Sequence, residues 1–269
     1  MGPDMKKKII IALNVLLLSL SVYAAEEKTV FVGTQGENPG LSYIDENGKL
    51  TGFEVEVLRE IDKRIPGVKF EYKAMDFASL FVSLSGRKVQ IINSNIWRSP
   101  EREKQFLYTN EVFYQTPFKI VVPADNNAIN DLRGLHGKKI AVLGTGVQAK
   151  ILADNISKNA LEVEVFPSKS NTEMVGLLNA QRVDALFLPE HQVSLFNKYR
   201  EQHLKTVGQG YLPTNVRPGD PGAHLLLQKS DVALRDSLDK AIIEIKNDGT
   251  LEKLSNEWFG ADFTQPLKL

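Results

Sequence analysis

A glycine-rich turn before a predicted helix is the feature whose spacing most readily suggests chemistry. Gly144, Gly146 and Ala149 give the pattern G-x-G-x-x-A. They follow a predicted strand over residues 139–143, as in dinucleotide-binding folds, and Glu164 stands about where those folds carry a ribose-binding acid. Free backbone N–H groups and the positive helix end would suit a carboxylate as well as a phosphate. The turn therefore predicts an anion site and leaves the anion open.

Three observations disfavour a dinucleotide at this turn. The pattern begins in the middle of the chain, and Glu164 lies within a predicted strand over residues 162–166 rather than at a strand end. The export signal described below also separates the chain from most NAD. A dinucleotide-binding oxidoreductase is therefore the less favoured alternative.

Side chains that could catalyse a reaction or hold a metal are few. The chain has no cysteine, which excludes disulfides, thiol catalysis, Cys-ligated zinc and iron–sulfur clusters. It contains no G-x-S-x-G, H-E-x-x-H or P-loop lysine motif. We therefore expect no catalytic residue, no metal site and no cofactor. The four histidines show no metal-ligand spacing: His136, His191, His203 and His224.

The charge balance excludes one class of partner. Lys and Arg number 33 and Asp and Glu number 33, so the formal net charge is zero. Without a basic surplus, counterion release cannot drive binding to nucleic acid. Because 42% of the 269 residues are hydrophobic and 25% are charged, the chain is typical of a globular protein with a substantial core.

The first 24 residues have the order of a secretory signal. Three lysines precede an apolar stretch over residues 9–22, and small residues follow it. The stretch is short for a membrane span, which disfavours the alternative of an uncleaved anchor. We expect residues 1–24 to be cleaved, with residues 1–4 as either a cloning remnant or an upstream start before Met5. Because no cysteine could carry a lipid, the mature chain is predicted to be free in the periplasm.

Strands and helices alternate in two similar units along the rest of the chain. Hydrophobic periodicity predicts the order β-α-β-α-β over residues 29–93 and again over residues 139–188. A β-type run over residues 118–122 separates the units, and a strand over residues 223–228 precedes a long helix over residues 232–247. This order predicts an α/β fold with largely parallel sheets, in two lobes of about 100 residues that flank a ligand cleft.

Nine short segments carry motifs in a fixed order along the mature chain: residues 45–50, 52–57, 75–77, 99–102, 131–134, 137–139, 182–185, 248–251 and 257–260. In this order they resemble the motifs of the polar amino-acid family of periplasmic solute-binding proteins. The resemblance covers essentially all of the mature chain. The segments around residues 74–77 and 258–263 are most similar to the cystine and sulfur-amino-acid branch.

The resemblance implies a two-lobed periplasmic-binding-protein type II fold, in which each lobe is a mixed, mostly parallel sheet flanked by helices. Lobe 1 would comprise residues 28–118 and 225–263, and lobe 2 residues 119–224. Two hinge strands are expected around residues 118–122 and 223–228. The lobes would close on a ligand by a hinge motion, and the closed, monomeric protein would dock on the membrane subunits of an ABC importer.

The resemblance also implies a carboxylate site. Arg102 matches the arginine of the family that holds the ligand carboxylate, because its planar fork can bind two oxygens at once. Without the motif, Arg102 would be interpreted as a surface residue beside Glu101 and Glu103. Thr145, on the glycine-rich turn, would bind the same carboxylate from the other lobe.

Two positions depart from the family. Gly146 stands where a second hydroxyl residue is usual, so one hydrogen bond of about 1 kcal/mol is expected to be missing. Pro189 stands where members that bind α-amino acids carry an aspartate for the ligand ammonium. Glu190 could replace that aspartate or be a solvated loop acid. It also leaves open a dehydratase-like enzyme on the same fold.

The remaining candidates would form the side-chain part of the pocket. Asn38 and Leu41 stand where the family often has aromatic residues, so that side of the pocket is predicted to be open. Trp97 replaces a small polar residue and is predicted to face the cleft, with Phe77 as a second apolar wall. Further hydrogen bonds are expected from Gln35, Ser94 and Asn95. The sequence thus predicts a binding protein for an amino acid or derivative, with cystine or another sulfur-containing amino acid favoured.

Overall fold

The computed structural model describes residues 27–144, 146–213 and 222–267. The predicted signal peptide over residues 1–24 therefore lies outside the described residues. Within those three ranges, none of the helices combines the length and the apolar character that a membrane span requires.

The chain up to residue 108 alternates short strands with three helical segments. Its elements are β1 (Lys28–Thr34), β2 (Glu37–Asn38), β3 (Ser42–Ile44), β4 (Leu50–Thr51), α1 (Phe53–Asp62), β5 (Val68–Ala74), α2 (Phe77–Ser85), β6 (Ile91–Ile96), α3 (Pro100–Gln105) and β7 (Phe106–Tyr108).

A second series of elements follows and ends in two helices. It comprises β8 (Phe118–Pro123), a 3-10 turn (Arg133–Leu135), β9 (Lys139–Leu143), α4 (Val147–Lys158), β10 (Glu164–Ser168), α5 (Asn171–Asn179), β11 (Ala185–Pro189), α6 (Glu190–Arg200), β12 (Leu204–Tyr211), β13 (His224–Gln228), α7 (Val232–Asn247) and α8 (Thr250–Phe259).

The strands form two five-stranded mixed sheets and a small antiparallel one. The first sheet has the order β5-β1-β6-β13-β7, in which β13 is antiparallel to both of its neighbours. The second has the order β10-β9-β11-β8-β12, in which β8 is antiparallel to both of its neighbours. Strands β2, β3 and β4 form the small sheet. Helices flank both five-stranded sheets, so the predicted α/β class with mixed, mostly parallel sheets is confirmed.

The segment that begins α1 shows how the sequence produces this packing. Val57, Leu58 and Ile61 recur at helical spacing and are fully buried. Gly52 precedes the helix with a φ of 124°, and a Cβ atom there would lie 2.4 Å from the carbonyl oxygen of Leu41. Only glycine allows this close approach, and it brings α1 against the chain beside β3.

The chain crosses from the first large sheet to the second between β7 and β8 and returns between β12 and β13, and Tyr114 and Ala223 belong to these two connections. These two residues form an isolated antiparallel bridge. The hinge strands expected around residues 118–122 and 223–228 instead lie within the sheets, as β8 in the second and β13 in the first. The physical reason is burial on both faces: Ile120 and Val121 of β8 pack into different cores of the second sheet.

Helix α6 is shared by the cores of both sheets. Leu195 packs into the core of the first sheet with Phe53, whereas Val193 and Phe196 pack into a core of the second. Because its apolar residues point to two different cores, the helix has no single apolar stripe. This is why periodicity did not predict a helix after β11.

Candidate functional site

A narrow cavity lies between the two large sheets. The ends of β6, β9 and β11 and the start of β8 meet there, and ligands of α/β folds bind at this edge of a sheet. Its volume is about 30 Å³, which is room for only a few waters. The residues that line it are Gln35, Asn38, Phe77, Ser94, Asn95, Trp97, Arg102, Phe118, Leu143, Gly146, Val147, Gln148, Asn171 and Pro189.

Most of the predicted site residues come together around this cavity, but two do not. Leu41 is fully buried in the core of the first sheet with Phe53 and Leu195. Glu190 is the first residue of α6, and its backbone N–H donates to the carbonyl oxygen of Pro117 at 2.9 Å. The predicted residues that line the cavity are Gln35, Asn38, Phe77, Ser94, Asn95, Trp97, Arg102 and Gly146. Thr145 lies outside the described residues.

Arg102 projects from the short helix α3 among aromatic rings. Its Cζ atom lies 4.8 Å from the ring centroid of Phe81 and 5.7 Å from that of Phe77. Its Nη1 atom donates to the carbonyl oxygen of Trp97 at 3.4 Å. Burial lowers the pKa of the guanidinium, yet an arginine stays charged at neutral pH. The cavity therefore has a cation whose orientation is set by the rings around it.

The end of β6 and the loop that follows it are held by hydrogen bonds between their polar residues and their neighbours. Ser94 Oγ donates to Gln35 Oε1 at 2.8 Å, and Trp97 Nε1 donates to Asn95 Oδ1 at 3.0 Å. Asn95 has a φ of 48°, a left-handed conformation that asparagine tolerates better than most residues. The ring of Trp97 lies 5.0 Å from that of Phe118. Trp97 thus extends from the first sheet to a strand of the second.

Glu54 supports this loop from behind, and sequence analysis did not single it out. It is fully buried in α1, and its Oε1 atom accepts hydrogen bonds from Asn95 N at 2.6 Å and Tyr114 Oη at 3.2 Å. Burial raises the pKa of its carboxyl to about 8. The sequence feature that could have identified Glu54 is its place as an acidic residue between Phe53 and Val55, two apolar residues that the helix buries.

On the second sheet, Gly146 makes room for Gln148. A Cβ atom at Gly146 would lie 2.1 Å from Gln148 Oε1. Gln148 is only 6% exposed, and its side chain lines the cavity from the first turn of α4. The side-chain amide of Gln148 therefore fills the space that a side chain at residue 146 would need. The sequence analysis predicted that a hydroxyl group is missing at residue 146, but it did not identify Gln148 as a site residue.

Among the described lining residues, two buried side-chain oxygens have no hydrogen-bond partner. They are Asn38 Oδ1 and Asn171 Oδ1, and both atoms are buried. Next to them, Thr172 Oγ1 donates to the carbonyl oxygen of Glu37 at 3.1 Å. This bond joins α5, beside the second sheet, to β2 of the small sheet. Because Thr172 follows Asn171 and Glu37 precedes Asn38, it brings the two asparagines to the same part of the cavity.

Glu164 is remote from the glycine-rich turn. It begins β10 opposite Lys139, and Lys139 Nζ lies 3.4 Å from a carboxylate oxygen of Glu164. The turn follows Leu143 at the other end of β9. Because Glu164 stands at the opposite edge of the sheet, it cannot act as the ribose-binding acid of a dinucleotide at this turn. No group of acids and histidines in the described part of the chain could hold a metal ion.

Comparison with known proteins gives one consistent result. Residues 30–261 match the bacterial extracellular solute-binding proteins, family 3. The L-cystine-binding protein TcyJ of Bacillus subtilis (strain 168) is 33% identical over 241 residues, which cover 89% of this chain and 87% of the relative. The L-cystine-binding protein TcyK of the same organism is 34% identical over 239 residues, which cover 88% of this chain and 86% of the relative.

A solved structure matches at similar identity. The crystal structure of the probable amino-acid ABC transporter extracellular-binding protein ytmK from Bacillus subtilis superposes with a TM-score of 0.76 and 34% identity. The match covers 88% of this chain and 99% of that one. The architecture of two mixed sheets with a cavity between them is therefore one that solved structures share.

Proposed function

Because the chain belongs to the bacterial extracellular solute-binding proteins of family 3, we propose that it binds an amino acid or an amino-acid derivative between its two large sheets and delivers it to an ABC importer. Cystine and other sulfur-containing amino acids are the first candidates. The members of this family are solute-binding proteins, so the prediction of a binding protein rather than an enzyme is confirmed.

The observation that carries the proposal is the setting of Arg102. Its guanidinium lines a cavity between the sheets. The other polar side chains among the described lining residues are neutral, and none of those residues is an acid. A partly buried arginine fork binds a carboxylate with two charge-assisted hydrogen bonds, which provide both affinity and orientation. An α-carboxylate is the group that amino acids and their derivatives share, and we assign it to Arg102.

The cystine preference rests on two arguments. TcyJ and TcyK, each about one third identical to this chain, are L-cystine-binding proteins. The cavity also has three aromatic walls, namely Phe77, Trp97 and Phe118. Divalent sulfur makes favourable contacts with aromatic rings, each of about 1 kcal/mol. A ligand with sulfur near its carboxylate would therefore gain from these walls.

Binding must begin from a more open arrangement of the sheets. A cavity of about 30 Å³ cannot hold an amino acid. The crossings near Tyr114 and Ala223 are the two connections about which the sheets could separate. Ligand binding would then favour a closed form by making contacts with both sides at once.

The compartment follows from the predicted signal and from the family. Residues 1–24 would direct export, and no cysteine is present to carry a lipid anchor. We therefore place the protein free in the periplasm as a monomer, from which the closed form would dock on the membrane subunits of its importer.

A ligand screen tests this function. Purified protein is heated with each of the twenty common amino acids, L-cystine, L-cystathionine and glutathione, and hits are measured by calorimetry. We expect one or more sulfur-containing amino acids to raise the Tm by several degrees, because a ligand that binds only the folded state stabilises it. Mass spectrometry should recover the ligand unchanged. The absence of any Tm shift across the panel would refute amino-acid binding, and recovery of a product would refute the binding role.

A further inference from the structure

We propose that the pocket recognises the ligand nitrogen with neutral side-chain amides, and that its ligands therefore include N-acylated α-amino acids, whose nitrogen is an uncharged amide N–H. This inference rests on the proposed function, because it needs the ligand carboxylate to bind at Arg102. It adds the chemical class of the ligand and the residues that select it.

The first argument is the charge of the lining. Among the described lining residues, Arg102 is the charged side chain, and the other polar side chains are amides or a hydroxyl. A ligand carboxylate on Arg102 makes the closed cavity neutral. A free ammonium would then add a buried positive charge without a partner, which is costly. An acylated nitrogen carries no charge and avoids this cost.

Among the residues that the structure describes, no acid behind the lining supplies the missing charge. Glu54 is the acid in contact with a lining residue through the backbone N–H of Asn95. Its Oε1 atom is already used by Asn95 and Tyr114, and it is not part of the cavity surface. Its raised pKa of about 8 also keeps its carboxyl mostly protonated at pH 7. The carboxyl of Glu190 does not line the cavity either.

The second argument is the pair of unpartnered oxygens. Asn38 is 5% exposed, and its Oδ1 atom is buried without a hydrogen bond. Asn171 Oδ1 is in the same situation on the opposite side. The bond from Thr172 Oγ1 to the Glu37 carbonyl lies one residue away from each asparagine. A buried acceptor that stays unpaired costs about 1–3 kcal/mol, so a ligand N–H between the two oxygens would remove a penalty that the folded protein carries.

The third argument is the position of Gln148. Because Gly146 lacks a Cβ atom, the Gln148 amide can lie over the cavity with both a donor and an acceptor. An acyl group would present a carbonyl oxygen to the Gln148 Nε2 donor. The carboxylate, the N–H and the acyl carbonyl of one ligand thus correspond to Arg102, the two asparagines and Gln148.

Matched ligands test the proposal. We would measure binding of L-methionine, N-acetyl-L-methionine, L-cystine and N,N′-diacetyl-L-cystine by calorimetry at pH 7, with the methyl ester of N-acetyl-L-methionine as the carboxylate control. Each acetylated compound should bind at least as tightly as its free parent, and the ester should lose binding. A loss of affinity of 100-fold or more on acetylation would overturn the proposal and leave the proposed function intact. Failure of both the free and the acetylated compounds would overturn both.

Two asparagine variants test the residues assigned. In Asn171→Asp and Asn38→Asp a carboxylate replaces the amide, so we expect the ratio of affinities for free and acetylated ligand to shift by 10-fold or more toward the free amino acid. Asn171 begins α5, where an acid favours the helix, so this variant should fold. Asn179→Asp, at the exposed end of the same helix, is the matched control. An unchanged ratio in both pocket variants would refute the assignment.

Discussion

The Tyr114 hydroxyl donates a hydrogen bond to Glu54 Oε1 at 3.2 Å, at the point where the chain leaves the first sheet. On its other side, the Tyr114 ring meets the ring of His191 edge-on, with centroids 5.1 Å apart. Thr116 Oγ1 is within hydrogen-bond distance of His191 Nδ1 at 2.9 Å. A buried acid and a buried base therefore contact the same crossing, and both should make the free energy of unfolding depend on pH.

The Glu54 carboxyl predicts a loss of stability at alkaline pH. Burial raises its pKa from 4.5 to about 8, so between these values the folded state retains a proton that the unfolded state has lost. The contribution of Glu54 to the free energy of unfolding should therefore fall as the pH rises through this window, by on the order of 5 kcal/mol in total. Glu54→Gln keeps an acceptor for Asn95 and Tyr114 and should remove this loss. Urea unfolding from pH 5 to pH 9 measures it.

The control for this prediction is Glu71→Gln, an exposed position on β5. It should leave the pH profile of the wild type unchanged. Equal slopes for wild type and Glu54→Gln above pH 6.5 would contradict the argument.

The His191 imidazole predicts the opposite loss at acid pH. Burial lowers its pKa from 6.5 to about 3, so between these values the unfolded state binds a proton that the folded state does not. The contribution of His191 to the free energy of unfolding should fall as the pH drops through this window. Between pH 4.5 and 6.5 the contributions of Glu54 and His191 cancel, which predicts a plateau with a decline on each side.

His191→Asn, which keeps a polar atom near Thr116, should flatten the acid limb of the profile below pH 4.5. His203→Asn, at an exposed position, serves as the control and should behave as wild type. An acid limb as steep in His191→Asn as in wild type would show that other groups govern it.

Substitution of Arg102 should remove ligand binding without unfolding the protein. Arg102→Ala deletes both charge-assisted bonds to a carboxylate, and we expect affinity to fall about 100-fold or more. Arg102→Lys should lose at least about 10-fold, because an ammonium cannot bind two carboxylate oxygens in the same geometry. Lys104→Ala changes an exposed cation on the same helix and should have no effect. Retention of the best ligand within a few-fold in Arg102→Ala would disprove the assignment of the carboxylate site.

A methyl group at residue 146 should act through Gln148. Gly146 has a φ of −90°, which alanine adopts freely, so the expected cost in Gly146→Ala comes from displacement of the Gln148 amide. We expect about a threefold to tenfold loss of affinity, and no additional loss when the substitution is made in Gln148→Ala. Gly176→Ala, where a new Cβ atom would meet no atom within 4 Å, should leave affinity unchanged and stabilise α5 slightly. Additive losses in the double variant would contradict this coupling.

The hydrogen bond from Thr172 to Glu37 should contribute to closure of the cavity. Thr172→Val keeps the shape of the side chain and removes the donor, so affinity should fall about twofold to fivefold. The Tm without ligand should hardly change, because the bond joins surface elements of the two sides. Thr172→Ser restores a hydroxyl and should recover the affinity. A valine variant that binds as tightly as wild type would show that this bond is not needed for closure.

The sequence predicted those elements whose hydrophobic period is simple. The strand over residues 139–143 and the helix over residues 232–247 were predicted with their observed bounds. Helix α6 was not predicted, since Leu195 and Phe196 serve different cores. The position of the hinge stays a prediction, because β8 looks the same in the sequence whether it joins the sheets or lies within one of them.

Within the candidate site, sequence patterns identified the residues of contiguous motifs better than the residues brought in by tertiary contact. Trp97, in the loop after β6, and Arg102, in the helix α3 that follows it, lie close in the sequence and could be named together. Gln148 could not, because its importance depends on the space left by Gly146. Asn171 comes from a helix that no site motif includes, and Leu41 was assigned to the pocket because the sequence does not reveal that it points into the core.

The central place of β13 in the first sheet has a consequence for the order of folding. Every strand of the second sheet lies between Phe118 and Tyr211, in one continuous stretch. The first sheet requires β13, from residues 224–228, between β6 and β7. A ribosome that has made the chain only to Tyr211 has supplied all strands of the second sheet but left a gap in the middle of the first. During synthesis, the first sheet, on the side of the molecule that carries Arg102, is therefore the first to receive strands and the last to have all of them.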